Sequence, residues 1–173
     1  MKKIDHLSEI YSFYDTFVID LWGVMHNGIL LNNKAVQTIE ELKKNNKKIV
    51  FLSNAPRPSI KVKEFLKKLN MKEVFLSNIV TSGEAAMQAI NENRFGKFFF
   101  HLGPARDSSI FYKVKENQTS LEKSEFILCT GLLDEYESDL NYYEELLKNS
   151  LSKKLICTNP DLTVHRGEIE EHC

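Results

Sequence analysis

Short apolar runs alternate with segments of helical period along this chain, and that alternation restricts the fold more than any other feature. Thr16-Phe17-Val18-Ile19-Asp20-Leu21 and Ile49-Val50-Phe51-Leu52 are nearly continuous apolar stretches. Runs of this kind predict strands buried on both faces of a sheet. Between them Val36, Ile39 and Leu42 recur with a helix period over 33–45. After the second run, Val62, Phe65, Leu66 and Leu69 line one face of another helix. Strand, helix, strand, helix with short links is the signature of a parallel α/β sheet.

The second half continues the pattern. It predicts a helix over 82–93 with Ser82 as its N-cap, a strand over 97–101, a helix over 104–112 and a strand over 126–129. A helix over 139–148 with Leu140, Tyr143 and Leu147 on one face follows, then a strand over 155–157. The polar stretch 113–123 reads as an exposed connection. At the N-terminus Ile4, Leu7, Tyr11 and Tyr14 recur at helical spacing, so this segment reads as an amphipathic helix and not as a signal peptide. A soft division near 71–79 separates a first part, 1–76, from a second, 77–173.

Composition narrows the class of function. Lys+Arg 23 against Asp+Glu 24 leaves a net charge of -1, which gives no support for nucleic-acid or membrane-surface binding. The densest basic run, Lys43-Lys44-Asn45-Asn46-Lys47-Lys48, suits a solvated helix C-terminus. Three widely spaced cysteines, Cys129, Cys157 and Cys173, form no CxxC pair and no disulfide framework. A reducing, cytoplasmic location is the simplest expectation, with Cys129 and Cys157 as small core residues at strand ends.

In an open parallel sheet, ligands bind outside the carboxyl ends of the strands. The first strand ends in Asp20 and the second in Ser53-Asn54. A carboxylate at the end of an apolar strand is costly unless it is solvated, paired or metal-bound. Placement alone leaves two readings for Asp20, a functional carboxylate or a cap on the following turn.

The surrounding residues resemble a known family. Asp20-Leu21-Trp22-Gly23-Val24 is similar to the first signature of the haloacid dehalogenase superfamily, and Ser53-Asn54 to its second. Ile79-Val80-Thr81-Ser82-Gly83-Glu84-Ala85-Ala86 resembles the segment that opens the inserted cap of subclass IIA, the group of nucleotide-monophosphate and pyridoxal-phosphate phosphatases. Thr158-Asn159-Pro160-Asp161 resembles the Asn-Pro-Asp loop near the far end of that cap. The run Asp20 to Gly28 is closest to a bacterial subfamily of IIA.

The resemblance implies the N-terminal part of a Rossmann-like parallel-sheet core with an inserted α/β cap. It implies a hydrolase that acts on a small phosphorylated metabolite. Asp20 would be the nucleophile, forming a covalent aspartyl intermediate. Ser53 and Asn54 would hold phosphate, with Gly23 letting the loop backbone approach it. Mg²⁺ would sit on the Asp20 carboxylate and the Trp22 carbonyl.

Two departures from the family pattern stand out. Family phosphatases carry a second Asp two residues after the nucleophile, as general acid and base; here that residue is Trp22. Loss of such a group costs about 10²–10⁴ in rate. The third signature, a Lys, and the fourth, an acidic loop of the Mg²⁺ site, are not among these 173 residues. The sequence is therefore expected to be truncated at the C-terminus, within an element over 167–173, and to expose an apolar sheet face. Two further readings follow: a non-catalytic remnant, or half of a two-chain protein completed by a separate C-terminal chain.

Other residues keep two readings each. Arg57 reaches a phosphate bidentately or is an exposed helix-start residue. Asn159 and Asp161 close the cap over the site or shape a turn. His26 contacts substrate or is solvated. His101, His165 and His172 have no metal-site spacing.

Overall fold

The computed structural model describes residues 3–148 and 150–172; Cys173 lies outside them. The chain forms two compact units. One comprises Met1–Ser53, Lys63–Val80 and His165–Ile169; the other comprises Asn54–Val62, Thr81–Val164 and Glu170–Cys173.

The first unit is built on strands β1 (Thr16–Ile19), β2 (Lys48–Ser53) and β3 (Ile79–Thr81), in the order β1-β2-β3. β1 and β2 run parallel, with Ile19 level with Phe51. Helix α1 (Asn33–Lys44) makes the crossover. Asn32 caps it, its Oδ1 accepting the N–H groups of Lys34 and Ala35, and Lys43 and Lys44 occupy the last turn. α1 turns Ile39 and Leu42 inward, and α2 (Ser59–Lys68) contributes Leu66. Leu21, Met25, Phe51 and Leu66 are almost completely buried. Each such side chain stabilises the fold by about 1.5–3 kcal/mol.

The expectation that β1 and β2 are buried on both faces is corrected. Phe51 is enclosed, but Val18 and Leu52, on the opposite face, are 63% and 52% exposed. Val50, on that same face, is partly buried, so the face is only partly covered. β3 was not anticipated, because three residues are too few to show a period.

The N-terminal amphipathic helix is also corrected. Two separate 3-10 turns stand there, Leu7–Glu9 and Tyr11–Phe13, divided at Ile10 (φ -129). His6 Nδ1 accepts the Ser8 N–H, while the Glu9 carboxylate accepts the N–H groups of Asp5 and His6. These local bonds compete with the helical ladder, and so short a segment has little cooperativity to resist them.

The second unit is a parallel sheet in the order β4 (Phe99–Leu102), β5 (Phe126–Cys129) and β6 (Lys154–Cys157), where β4 pairs with β5 and β5 with β6. Its apolar centre joins Phe99, Ile110, Phe111, Phe126 and Leu128 with Ala86 and Ile90 of α3 (Ser82–Asn91). Phe99 meets Phe111 edge-on, ring centres 5.1 Å apart. A second cluster packs Leu102, Leu121 and Ile127 against Tyr143, Leu146 and Leu147 of α4 (Leu140–Leu147). Leu140, expected on that face, is 77% exposed.

Two other expectations change. The helix over 104–112 is a 3-10 segment, Ala105–Asn117, with non-helical backbone at Phe111 and Val114. The stretch 113–123 is not simply exposed: Asn117 and Leu121 are buried, and the Thr119 N–H donates to the Phe99 carbonyl. Strands β7 (Thr163–Arg166) and β8 (Ile169–His172) form a small two-stranded sheet that the sequence reading lacked. Among the described residues no helix is long and apolar enough to cross a membrane.

One device in the second unit fixes the loop after β2. The N-cap of α3 is Thr81, not Ser82; its Oγ1 accepts the Glu84 N–H and its hydroxyl donates to the Arg57 carbonyl. Ser82 Oγ and the Gly83 N–H both donate to the Ala55 carbonyl, at 3.0 and 3.1 Å. Glu84 reaches out to accept the Ser59 N–H at 2.8 Å. The approach is close enough that a Cβ on Gly83 would stand 2.3 Å from the Arg57 backbone nitrogen.

Two predictions follow from these contacts. Ala normally improves on Gly inside a helix by about 1 kcal/mol. Gly83→Ala should instead destabilise by up to about 3 kcal/mol, because backbone blocks the new methyl. Urea unfolding measures this, and a stabilised variant would refute the close approach.

The second concerns His101, which is 8% exposed and shares a 2.9 Å hydrogen bond between Nε2 and Thr130 Oγ1. Burial lowers its pKa from 6.5 to about 4. The unfolded chain then binds the proton more readily than the folded one. Stability from this group is complete above 6.5 and is lost as pH falls toward about 4. His101→Gln should flatten the loss of stability across that window by roughly 3 kcal/mol. An unchanged pH dependence in unfolding experiments would count against it.

Candidate active site

The parallel pairing of β1 and β2 brings Asp20 and Ser53 to the carboxyl end of one sheet. Asp20 directly follows β1 and is exposed, whereas Ser53, the last residue of β2, is 7% exposed. Asp20 Oδ1 accepts the Leu21 N–H at 2.7 Å. That bond holds one carboxylate oxygen, and the residue is open to solvent.

The loop after Asp20 is held by its own backbone. The N–H groups of Met25 and His26 both donate to the Leu21 carbonyl, at 2.8 and 3.2 Å, and the Gly23 N–H donates to the His26 carbonyl at 2.8 Å. Asn27 Oδ1 accepts the N–H groups of Ile29 and Leu30. Gly23 has φ +76, and nothing lies within 4 Å of where its Cβ would be. The left-handed backbone favours glycine, and the open space leaves room for a group to approach the chain.

Trp22 is engaged in packing. Its Nε1–H donates to the His165 carbonyl at 2.9 Å, and the Arg166 guanidinium lies 6.0 Å from its ring centre. A Cβ on Gly28 (φ +85) would come within 2.8 Å of the indole. The indole N–H is thus committed to the His165 carbonyl.

His26 is not solvated. It is 4% exposed, edge-on to Trp22 at 5.0 Å and to Phe65 at 5.3 Å. Its Nδ1 accepts the Gly28 N–H at 3.0 Å, which places the proton of the neutral ring on Nε2. Burial holds its pKa below the ordinary histidine value, and the Asp20 carboxylate opposes that shift.

The remaining expected residues belong to the second unit. Asn54 Nδ2 donates to Asn159 Oδ1 at 2.8 Å and to Asp161 Oδ2 at 2.6 Å. The Asp161 N–H donates to Asn159 Oδ1 at 3.3 Å, so the Asn159–Asp161 turn both shapes itself and engages Asn54. Arg57 Nε donates to Asp107 Oδ1 at 2.9 Å. The Asp107 side chain is 4% exposed and that of Arg57 47%. Burial raises the Asp107 pKa, and Arg57 opposes the rise.

The expected residues therefore fall into two groups. Asp20, Trp22, Gly23 and Ser53 lie in the first unit; Asn54, Arg57, Asn159 and Asp161 lie in the second. The sequence reading missed Asp107, whose isolated acidic residue gave no signal. It also missed the Thr81–Glu84 clamp. Shifting the N-cap from Ser82 to Thr81 would have revealed a Thr-x-x-Glu pattern.

The donors near Asp20 are hard oxygens. Its carboxylate and the Trp22 carbonyl are the kind that Mg²⁺ takes alongside water and substrate phosphate. Among the described residues no group of three or more His, Cys, Asp or Glu side chains gathers a metal site. The residues present thus fit a Mg²⁺ ion held by one carboxylate.

Comparisons with known proteins bear on this arrangement. A family model described as haloacid dehalogenase-like hydrolase matches residues 17–115. No curated protein matches the chain. Among solved structures, a haloacid dehalogenase-like hydrolase from Brucella suis is similar at TM-score 0.85 and 29% identity, over 99% of this chain and 63% of that one. A 4-nitrophenylphosphatase from Thermotoga maritima is similar at TM-score 0.66 and 24% identity, over 94% and 61%. A glycerol phosphate phosphatase from Mycobacterium tuberculosis, in complex with magnesium, shares the fold at TM-score 0.60 and 19% identity, over 90% and 47%. The chain spans about 63% of the length of the Brucella protein. With more than half of its residues matched by the family model, the chain belongs to the haloacid dehalogenase-like hydrolases.

Proposed function

We propose that this chain supplies the nucleophile-bearing part of a phosphatase-type hydrolase acting on a small phosphorylated metabolite. The observation that carries the reading is the exposed Asp20 carboxylate just past β1, at the same end of the parallel β1–β2 pair as Ser53. In this reading an Asp20 oxygen attacks phosphorus, the bond to the leaving oxygen breaks, and an aspartyl phosphate forms. Water then attacks that phosphorus, the bond to the Asp20 oxygen breaks to restore the carboxylate, a proton passes to solvent, and inorganic phosphate leaves. Ser53 would receive a phosphate oxygen, and the open space at Gly23 would let the phosphate approach the loop. Mg²⁺, held by Asp20 and the Trp22 carbonyl, would neutralise phosphate charge when bound.

Trp22 sets the character of the reaction. A leaving alkoxide needs a proton, and an indole cannot transfer one. The Trp22 N–H is already given to the His165 carbonyl. His26 is no substitute, since its ring is enclosed by Trp22 and Phe65. The proposal is therefore a hydrolase selective for esters whose leaving group departs without protonation.

The test compares leaving groups. With Mg²⁺, 4-nitrophenyl phosphate should turn over faster than glycerol phosphate by about 10²–10⁴, the usual contribution of a general acid. Asp20→Asn should abolish both activities, and chelation of the metal should lower them. Equal rates for the two esters would refute the role given to Trp22. Activity that survives Asp20→Asn would refute the proposal as a whole.

A further inference from the structure

Two thiols lie side by side in the second unit, and the proposed hydrolase uses neither. Cys129 and Cys157 end the parallel strands β5 and β6 and are direct partners in the register. Paired residues on neighbouring strands are about 4.8 Å apart and project to the same face. Disulfides span Cα separations of about 4.4–6.8 Å. Of the two expected small core residues, Cys129 is half-buried and packs against the Leu102, Leu121 and Ile127 cluster, whereas Cys157 is exposed and that expectation is corrected.

The surroundings give the pair a consequence. The Cys157 S–H donates to the Asn159 carbonyl at 3.1 Å. Thr158 between them is buried, and both its N–H and its hydroxyl donate to the Cys129 carbonyl, at 2.9 and 3.1 Å. Asn159 in turn accepts from Asn54. The thiol of Cys157 therefore helps fix the loop that engages Asn54.

We propose that Cys129 and Cys157 form an oxidisable dithiol, a modification site that peroxides convert to an intramolecular disulfide, releasing the Asn159 carbonyl and loosening the Thr158–Asp161 loop. Cys157, the exposed thiol, meets the oxidant. Its sulfur attacks the peroxide O–O bond, giving a sulfenic acid and one water. The Cys129 sulfur then displaces the hydroxyl group, which leaves with the thiol proton as a second water. Two thiols and one peroxide become one disulfide and two waters; the sulfurs lose two electrons and the peroxide oxygens gain them. Burial and the neighbouring Cys157 push the Cys129 thiol up to about 11, so Cys129 is a poor first nucleophile, and its attack on the sulfenic acid relies on its position opposite Cys157. A disulfide sulfur has no proton to donate, so the Asn159 carbonyl loses its partner. Any effect on turnover rests on the phosphatase reading; the cross-link does not.

The experiment uses a Cys173→Ser background, treats the protein with hydrogen peroxide, and alkylates the remaining thiols. Cys129 and Cys157 should be lost to alkylation together, appear in one cross-linked peptide, and return with dithiothreitol. In Cys129→Ser the Cys157 sulfenic acid should persist and be trapped by dimedone. Amide exchange at Asp161 should rise about fivefold on oxidation, the equivalent of one lost hydrogen bond. Oxidation of Cys157 to sulfinic acid while Cys129 still alkylates would overturn the proposal. So would a cross-link between two molecules, or unchanged exchange in the cross-linked protein. None of these readouts uses turnover, so a failed dithiol and a failed phosphatase reading are separate results.

Discussion

The parallel pairing of β1 with β2 is the constraint on which the candidate site depends. Parallel strands present their carboxyl ends at the same edge, so a residue just past β1 and the last residue of β2 become neighbours regardless of the 32 intervening positions between Asp20 and Ser53. The crossover helix α1 makes that pairing possible, and its buried Ile39 and Leu42 hold it on the unit's core. A slip of one residue would turn Phe51 out of the core and Leu52 into it. Phe51 is wholly buried and Leu52 half exposed, so burial enforces the register that aligns the site.

The loops that follow the two strands are rigid for different reasons. The loop after β1 is closed by its own backbone, around the Leu21 and His26 carbonyls, with His26 and Trp22 as its packed interior. The loop after β2 is held from outside by the first turn of α3, where Thr81, Ser82, Gly83 and Glu84 supply donors and acceptors to Ala55, Arg57 and Ser59. Gly83 is required there because backbone meets backbone. A short stretch that reads as the start of a helix thus also serves as the brace of a binding loop.

Much of the architecture was legible in the sequence. The strands ending near Asp20, Ser53, Cys129 and Cys157 were visible as apolar runs, and α1, α2, α3 and α4 as helical periods, because each has enough residues to display its pattern. The failures have two causes. The N-terminal segment has helical spacing, yet local bonds from His6 and Glu9 and a break at Ile10 divide it into two turns. The 3-10 segment Ala105–Asn117 and the three-residue β3 carry no period that a sequence can show. At the site, Asp20 and Ser53 were readable as polar groups at strand ends. Asp107 was not, since only contact with Arg57 gives it meaning.

The sequence by itself determined the α/β class, the family, and the substitution of Trp22 for a proton-transferring residue, because these depend on residue identity and local period. The tertiary structure decided what surrounds them. It committed the Trp22 indole to His165, closed His26 behind aromatic rings, and paired Arg57 with a buried carboxylate 50 residues away. It also set Cys129 opposite Cys157. The reason is physical: burial and hydrogen bonding between distant residues are fixed by chain packing, and spacing along the sequence does not encode which groups will meet.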